Sequence, residues 1–456
     1  MRIAQKCFLV VLSTLCASMS AKSDDLIVYD AVPGGEASDQ YTLSVRLASD
    51  DAPWQKAFAF ITRCKPPRTD GGDDYFRHLS GWSNTYINFE MGRAVEVEIA
   101  KANGQPIRTA VARPARKVSA CEVRDGKVYV TITEPCQIAV DIDGQMEEQD
   151  TGKGYSGPPI HTVTVFANPI LNDRPDPNRE GVLTVAPGEM PPHDGSWETL
   201  YFLPGIHDIG LAFPVHANRN YYIPGDAMVY GTMNNHDNWK DGKNIRIFGY
   251  GTLSGARVVH PVYASPQPKK AHHHSPIYIV GASNTSVEGV TLADSAYHSL
   301  MLVASRNPDK PTDMRWVKIF TWRRNGDGIN PFNNGLIEDC FIRTQDDSMY
   351  VNGRGIRRVV FWNDANGSTF VLTALPNQDL VVEDCDVIYA RAAWHQWSGG
   401  RLFNMRGLGG GDCGNGVVFR NIRVEDPRPT LQHFMITMQA VSYTHLRAHE
   451  TGRNGG

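Results

Sequence analysis

Short segments in which apolar and polar residues alternate dominate the first third of the chain. In Arg93-Ala-Val-Glu-Val-Glu-Ile99 every second side chain from Val95 onward is apolar, and the side chains between them are acidic. This period of two is typical of an antiparallel strand with one face in a core and the other in water. Similar runs lie at 41–47, 58–62, 127–132, 137–142 and 162–166. Many short strands separated by glycine, proline and aspartate turns predict a β-sandwich over residues 22–168.

The pattern changes after residue 198. Residues 169–198 are rich in proline, which removes backbone donors, so we expect an irregular connector there. From residue 199 short apolar runs recur, and from Val317 their starts advance by about 20, 22 and 22 residues and then by 37. A repeat of this length is typical of a right-handed parallel β-helix, in which each coil completes the core of its neighbours. The sequence therefore predicts an all-β protein with a β-helix over residues 199–440.

The two ends of the chain differ from the rest. Residues 1–21 carry Arg2 and Lys6 before a short apolar run and small residues, the pattern of a cleaved signal peptide. The run is too short to span a bilayer, so we expect a secreted or periplasmic protein without a membrane span. Residues 441–456 resemble translated adapter sequence, and we expect the natural chain to be cut off near Ala440.

Composition narrows the possible partners. The 456 residues carry a net charge of −4, so there is no basic excess to hold nucleic acid. Export permits disulfides, and Cys121 and Cys136 flank a strand-like run and could pair. Cys340 and Cys385 sit in matching Glu-Asp-Cys contexts two coils apart, roughly 9–10 Å by strand spacing. That separation exceeds disulfide reach, so we expect buried free thiols. We expect a monomer.

Three aspartates carry the strongest chemical signal. Asp346 and Asp347 follow Asp327 by 19 and 20 positions, about one coil of the predicted β-helix. Coils stack roughly 4.8 Å apart, so the three carboxylates would share one patch. Crowding raises at least one carboxyl pKa and places an acid beside a base, as glycosidic bond hydrolysis requires. Consecutive strand side chains point to opposite faces, so Asp346 and Asp347 can both reach the groove only at a bend. The alternative is that all three are turn residues on a solvated surface.

The same segments resemble glycoside hydrolase family 49, which includes dextranases and isopullulanases and is related to the family 28 polygalacturonases. The resemblance rests on Asp327-Gly followed by Asp346-Asp-Ser, on Val360-Phe-Trp-Asn-Asp364 and Asp384-Cys-Asp-Val-Ile388, and on a sandwich placed before a β-helix. It implies a pectin-lyase-like solenoid and an endo-acting, inverting hydrolase of α-glucans. By position, Asp346 resembles the general acid, and Asp327 and Asp347 resemble the residues that activate water.

Other functions remain open on this scaffold. The Gly-His-Gly and Arg-Ile-Lys segments of family 28 are missing from the sequence, which makes pectin a poor candidate substrate. A polysaccharide lyase or a polygalacturonase-like enzyme remains an alternative, as does a non-catalytic glycan-binding β-helix. The crowded carboxylates argue against pure binding, which has no need of them.

Several polar and aromatic side chains near the aspartates are candidates for substrate binding. Asparagines could bind sugar hydroxyls or instead form ladders inside the coils. Arginines could favour an anionic glycan or simply neutralise the aspartates, and aromatic rings could stack on sugars or fill a core. The predicted substrate-binding residues are Asn325, Asn330, Arg343, Tyr350, Asn352, Asn363 and Trp394. The run His272–His274 lacks the spacing of metal ligands, so we expect neither a metal nor a cofactor.

Overall fold

The computed structural model describes residues 25–49, 51–66, 79–146, 158–235, 241–262, 271–304, 310–330, 334–364, 366–372, 380–390, 402–405, 416–426 and 437–438. The predicted signal peptide, the C-terminal tail and the candidate Trp394 lie outside these residues. Within them the structure contains strands and two short 3₁₀ turns, Ala115–Lys117 and Ala271–His274. No helix in the described part of the chain has the length and apolar character needed to cross a membrane.

Eleven strands form the N-terminal domain. They are β1 (Leu26–Val28), β2 (Tyr41–Leu47), β3 (Gln55–Ala57), β4 (Phe60–Arg63), β5 (Ser83–Met91), β6 (Val95–Lys101), β7 (Ala110–Arg113), β8 (Ala120–Arg124), β9 (Lys127–Ile132), β10 (Cys136–Ile142) and β11 (His161–Pro169). One sheet has the order β1-β5-β11-β10-β7 with β4 beside β5, and the other has the order β3-β2-β6-β9-β8. Strand β6 buries Val95, Val97 and Ile99 and leaves the glutamates between them half-buried, as the alternation predicts. The two inner faces enclose one apolar core.

The remaining strands form the β-helix. They are β12 (Val182–Val185), β13 (Thr199–Phe202), β14 (Gly205–Pro214), β15 (Asn220–Tyr222), β16 (Ala227–Asn234), β17 (Arg246–Phe248), β18 (Thr252–Ser254), β19 (Ile277–Ala282), β20 (Thr285–Glu288), β21 (Thr291–Ala293), β22 (Leu300–Ala304), β23 (Thr312–Arg315), β24 (Lys318–Phe320), β25 (Leu336–Glu338), β26 (Phe341–Thr344), β27 (Met349–Val351), β28 (Gly355–Arg357), β29 (Val360–Asn363), β30 (Phe370–Leu372), β31 (Leu380–Glu383), β32 (Asp386–Ala390), β33 (Phe403–Met405), β34 (Val417–Arg420), β35 (Arg423–Val424) and β36 (Thr437–Met438).

These strands stack in parallel on three faces of a solenoid. The first sheet runs from β12 through β17 and β25 to β34, the second from β16 through β24 and β29 to β35, and the third follows β27-β30-β33-β36. Isolated bridges from Leu300 to Ile329 and from Ile329 to Met349 extend the third ladder back to β22. Inward apolar side chains of successive coils form a single core along the axis. The sequence-based prediction of an all-β fold, a sandwich followed by a parallel β-helix, is confirmed. The solenoid begins earlier than expected, because β12 lies inside the segment 169–198 and pairs with β13.

The turn between the first and second sheets has the same backbone conformation on several coils. Asp339, Arg358, Asp384 and Asn421 occupy equivalent positions there, and each has a φ between 52° and 56°. Asparagine and aspartate tolerate this left-handed conformation better than other non-glycine residues do, which explains their recurrence in the repeat. An asparagine ladder does exist, but at another corner: Asn284 donates to Asn244 at 2.7 Å. It does not include the asparagines predicted to bind substrate.

The sandwich packs on the outer face of the second sheet through a second apolar core. This interface joins Phe60, Tyr86 and Phe166 of the sandwich to Phe320 and Trp322 of the β-helix, among others. Tyr86 stacks on Phe320 with ring centroids 5.3 Å apart. Since each of these rings is at most 2% exposed, the contact resembles a domain core rather than a polar, transient interface.

The cysteine expectations are partly confirmed. Cys340 and Cys385 are buried free thiols, as predicted. The suggested pairing of Cys121 with Cys136 is wrong: both are free thiols, Cys121 on β8 of one sheet and Cys136 on β10 of the other. Burial raises the pKa of the Cys136 thiol to about 12, so it remains a neutral, inert side chain.

Candidate active site

The third ladder places Asp327 and Asp347 at equivalent positions on adjacent coils. Ile329 pairs with Met349, so the aspartates two residues before them also face each other across the coils. The Gly328 N–H donates to the Asp347 carbonyl at 2.9 Å and locks this register. Asp327 is 4% exposed and Asp347 is 1% exposed. The spacing of 20 residues therefore corresponds to one coil, as the sequence predicted.

One hydroxyl joins these two carboxylates. The Tyr350 O–H lies 3.0 Å from Asp327 Oδ2 and 3.2 Å from Asp347 Oδ2, so the two oxygens are no farther apart than the sum of these distances. Burial, followed by the charges of Asp327 and Asp347, raises the pKa of Tyr350 far above its usual value. The phenol therefore stays protonated and remains a donor. Asp347 Oδ1 also accepts from the Ser368 N–H at 2.7 Å.

Asp346 reaches the same patch because the chain bends between β26 and β27. Thr344 Oγ1 and Asn363 Nδ2 both donate to the Asp346 carbonyl at 2.8 Å, which fixes the bend. The Asp346 carboxylate accepts from the Asp347 N–H at 2.9 Å and from Asn366 Nδ2 at 3.1 Å. It is half-buried and is the most accessible of the three aspartates.

Gly367 completes the pocket under this bend. Its φ is +72°, and a Cβ there would lie 2.2 Å from the Asp347 nitrogen and 2.5 Å from the Asp346 carbonyl carbon. Only glycine satisfies both the left-handed backbone and the close approach. Gly367 and Asn366 were not among the predicted site residues, although Asn366 lies one 20-residue coil beyond Asp346, and that interval could have revealed it.

Two aromatic rings extend the site on the preceding coil. His298 occupies the position equivalent to Asp327, and Tyr297 stacks on it with centroids 4.1 Å apart and an interplanar angle of 6°. Asn330 Nδ2 meets His298 Nδ1 at 2.7 Å, which assigns the ring hydrogen to Nε2, 3.7 Å from Asp327 Oδ1. Burial, with His272 and His260 nearby, lowers the pKa of His298 to about 3, so the ring is neutral.

The histidine run packs beside these rings. The His272 ring centroid is 5.4 Å from those of both Tyr297 and His298. Burial raises the pKa of Tyr297, and the charges of Asp327 and Asp346 raise it further. Among the described residues no three metal-binding side chains cluster. Sequence reasoning missed Tyr297 and His298, because the coil that carries them is longer than the 20-residue repeat.

Of the seven predicted substrate-binding residues, three lie in or next to the site and two support it from buried positions. Tyr350 and Asn330 lie in the site, and Asn325 is exposed at a left-handed turn next to it. Asn363 is 1% exposed and holds the bend that carries Asp346. Asn352 is fully buried and donates to the Tyr350 carbonyl at 2.6 Å.

The structure corrects the prediction that Arg343 contacts substrate. Its side chain is 1% exposed, and its guanidinium carbon lies 3.8 Å from the Trp362 ring centroid and 4.5 Å from that of Trp322. Nε pairs with Asp364 at 2.8 Å, and Nη1 donates to Thr162 of the sandwich at 2.7 Å. A cationic side chain three residues before Asp346 was mistaken for a ligand group, because the sequence does not show that the docked sandwich covers it.

Comparison with known proteins agrees with this architecture. No family profile and no curated protein sequence matches the chain. Among solved structures, Dex49A from Penicillium minioluteum superposes with a TM-score of 0.70 at 16% identity, over 88% of this chain and 83% of that one. Dex49A is a dextranase of glycoside hydrolase family 49. The resemblance to that family is therefore confirmed at the level of the fold: this chain and Dex49A share a parallel β-helix fold.

Proposed function

We propose that this protein is an exported, endo-acting glycoside hydrolase that cleaves an α-glucan of the dextran type with inversion at the anomeric carbon. The observation that carries the proposal is the convergence of Asp327 and Asp347 on the Tyr350 hydroxyl, with Asp346 at the adjoining bend. A fold shared with a dextranase makes a glycan the substrate class to test first.

The three aspartates have different roles in the proposed inverting displacement. Asp346, the most accessible of the three, donates a proton to the glycosidic oxygen as its bond to the anomeric carbon breaks. Asp327 and Asp347 orient a water molecule, which attacks that carbon from the opposite face and gives up a proton to one of them. The Tyr350 hydroxyl offers one proton to two carboxylates, so it stabilises whichever is ionised.

The aromatic side of the site suits a sugar. Tyr297 and His298 form a stacked, neutral surface beside Asp327, and neutral rings next to carboxylates match the apolar faces and hydroxyl edges of a pyranose. Asn325 offers an exposed amide for hydroxyls at this edge, and Asn330 orients the His298 ring. A neutral glycan fits better than a uronate polymer, because the Arg343 guanidinium, a candidate partner for an anionic sugar, donates to Thr162 in the domain interface instead.

The experiment is a substrate screen with Asp346→Asn and a matched control. Asparagine cannot donate an acidic proton, so this variant should lose turnover of dextran while it still binds the polymer. Asp339→Asn makes the same change at the far end of β26, where asparagine tolerates the left-handed φ of 52°, and should retain turnover.

Dextran, pullulan, arabinan and pectin should be compared, with NMR of the first-formed anomer. Full activity of Asp346→Asn, or retention of anomeric configuration, would contradict the proposal. Ultraviolet absorbance from an unsaturated product would instead indicate a lyase.

A further inference from the structure

A cavity opens where the sandwich meets the β-helix. It has a volume of about 250 Å³, and none of the three candidate catalytic aspartates lines it. Thr62 and Lys65 line it from the sandwich, and Tyr230, Ser254 and Asp294 line it from the second sheet. The Trp322 indole donates to Thr62 Oγ1 at 2.9 Å, so the interface core fixes one wall. Neither domain forms this cavity alone.

Asp294 lines this space, and one oxygen of its carboxylate is unsatisfied. The residue is 8% exposed, and its Oδ1 is buried and has no hydrogen-bond partner in the described part of the chain. A buried acceptor without a donor costs folding free energy, so such atoms require an explanation. The φ of Asp294 is 52°, which explains a short polar residue at this turn but does not explain aspartate rather than asparagine.

The surrounding charges restrict which ligand can lie beside the Asp294 carboxylate. Arg63 pairs with Asp39 at 2.8 Å, and Arg257 pairs with Asp208 at 2.7 Å, so both guanidinium groups are engaged. Lys65 reaches only the Ala256 carbonyl, at 3.4 Å, among its contacts with described residues.

Electrostatics disfavours a charged ligand of either sign. Burial raises the pKa of Asp294 to about 6, and the positive charges of Arg323 and Lys65 oppose the rise. These two cations would repel a metal ion, and the Asp294 carboxylate would repel an anion. A ligand hydroxyl can donate to Asp294 and can accept from Lys65, so a neutral polyol matches both groups.

We propose that this interdomain cavity binds one neutral sugar residue, held by hydroxyl contacts to Asp294 and Lys65. Its volume lies just below the roughly 300–1,000 Å³ of pockets for drug-sized ligands, which suits a single pyranose ring rather than a chain. The inference depends on the proposed function only for the source of the sugar, namely the glycan or its products. The cavity would then retain the enzyme on its substrate or respond to released sugar.

Calorimetric titration of the 456-residue protein with D-glucose tests this directly. Asp294→Asn keeps the shape and the left-handed turn but removes the charge, and we expect it to weaken glucose binding at least tenfold. Lys65→Met removes the partner donor at an exposed position and should weaken the same binding event. Asp384→Asn, at a corner outside the cavity, is the matched control and should bind as the parent does.

Three results would overturn the proposal. Glucose binding could be unchanged in both Asp294→Asn and Lys65→Met, or it could disappear only in Asp327→Asn, which would place it in the candidate active site. A titration with calcium chloride that depends on Asp294 would indicate a cation site instead. Because binding is measured without turnover, failure here is distinct from failure of Asp346→Asn to abolish hydrolysis.

Discussion

The Tyr350 hydroxyl offers the sharpest test of the candidate active site. Tyr350→Phe removes one oxygen and keeps the ring on β27, so the change is confined to the contacts at 3.0 and 3.2 Å with Asp327 and Asp347. Without that donor the two buried carboxylates repel each other more strongly, and one of them should take up a proton. A carboxylate that is protonated cannot activate water.

The size of the effect follows from the bond that is lost. A hydrogen bond to a charged group contributes about 1.5–3 kcal/mol, and each 1.4 kcal/mol or so corresponds to a factor of ten in rate. We therefore expect Tyr350→Phe to lower kcat/KM by about 10- to 150-fold, chiefly through kcat, since the hydroxyl touches the acids rather than a sugar. The assay is reducing-end release from dextran across a pH series.

A matched control separates catalysis from folding. Tyr250 also has a buried hydroxyl, which donates to the Pro169 carbonyl at 2.8 Å in the domain interface. Tyr250→Phe should lower the melting temperature by an amount comparable to Tyr350→Phe but leave kcat unchanged. A Tyr350→Phe variant with kcat within twofold of the parent would refute the idea that this hydroxyl organises the carboxylates.

Three further outcomes follow from the structure. Asn366→Ala removes the amide that stabilises ionised Asp346, so the pKa of Asp346 should rise. The alkaline limb of the kcat/KM profile should then move to higher pH, and an unmoved limb would count against Asp346 as the general acid. Arg343→Met leaves the buried Asp364 without its ion-pair partner, so the free energy of unfolding measured in urea should fall by about 3–5 kcal/mol. Unchanged stability together with a raised KM would indicate that Arg343 contacts the substrate after all. The pKa of Asp294 is raised from 3.8 to about 6 in the folded state, so the protein should lose stability as the pH rises from about 4 to about 6. Asp294→Asn should remove up to on the order of 3 kcal/mol of this pH dependence in thermal melts. Parallel curves of melting temperature against pH would contradict the assignment.

The sequence by itself determined the architecture and the register of the acids. The period of two around Val95 predicted a half-buried strand, because side chains alternate between the faces of a sheet. The 20-residue interval between Asp327 and Asp347 predicted equivalent places on adjacent coils, because stacked coils repeat at the coil length. The adjacent pair Asp346-Asp347 also required a bend, which lies between β26 and β27.

Only the tertiary structure decided which neighbours of the acids face the groove. Arg343 and Trp362 have the composition of a sugar site, yet the docked sandwich covers them, and no local pattern distinguishes a surface open to water from one open to a partner domain. Conversely, His298 joins Asp327 although the two are 29 residues apart, because the stacking of coils depends on strand pairing rather than on a constant repeat. The alternation of residues along a strand determines which side chains that strand buries. The packing of distant segments determines whether its exposed face contacts solvent or another domain.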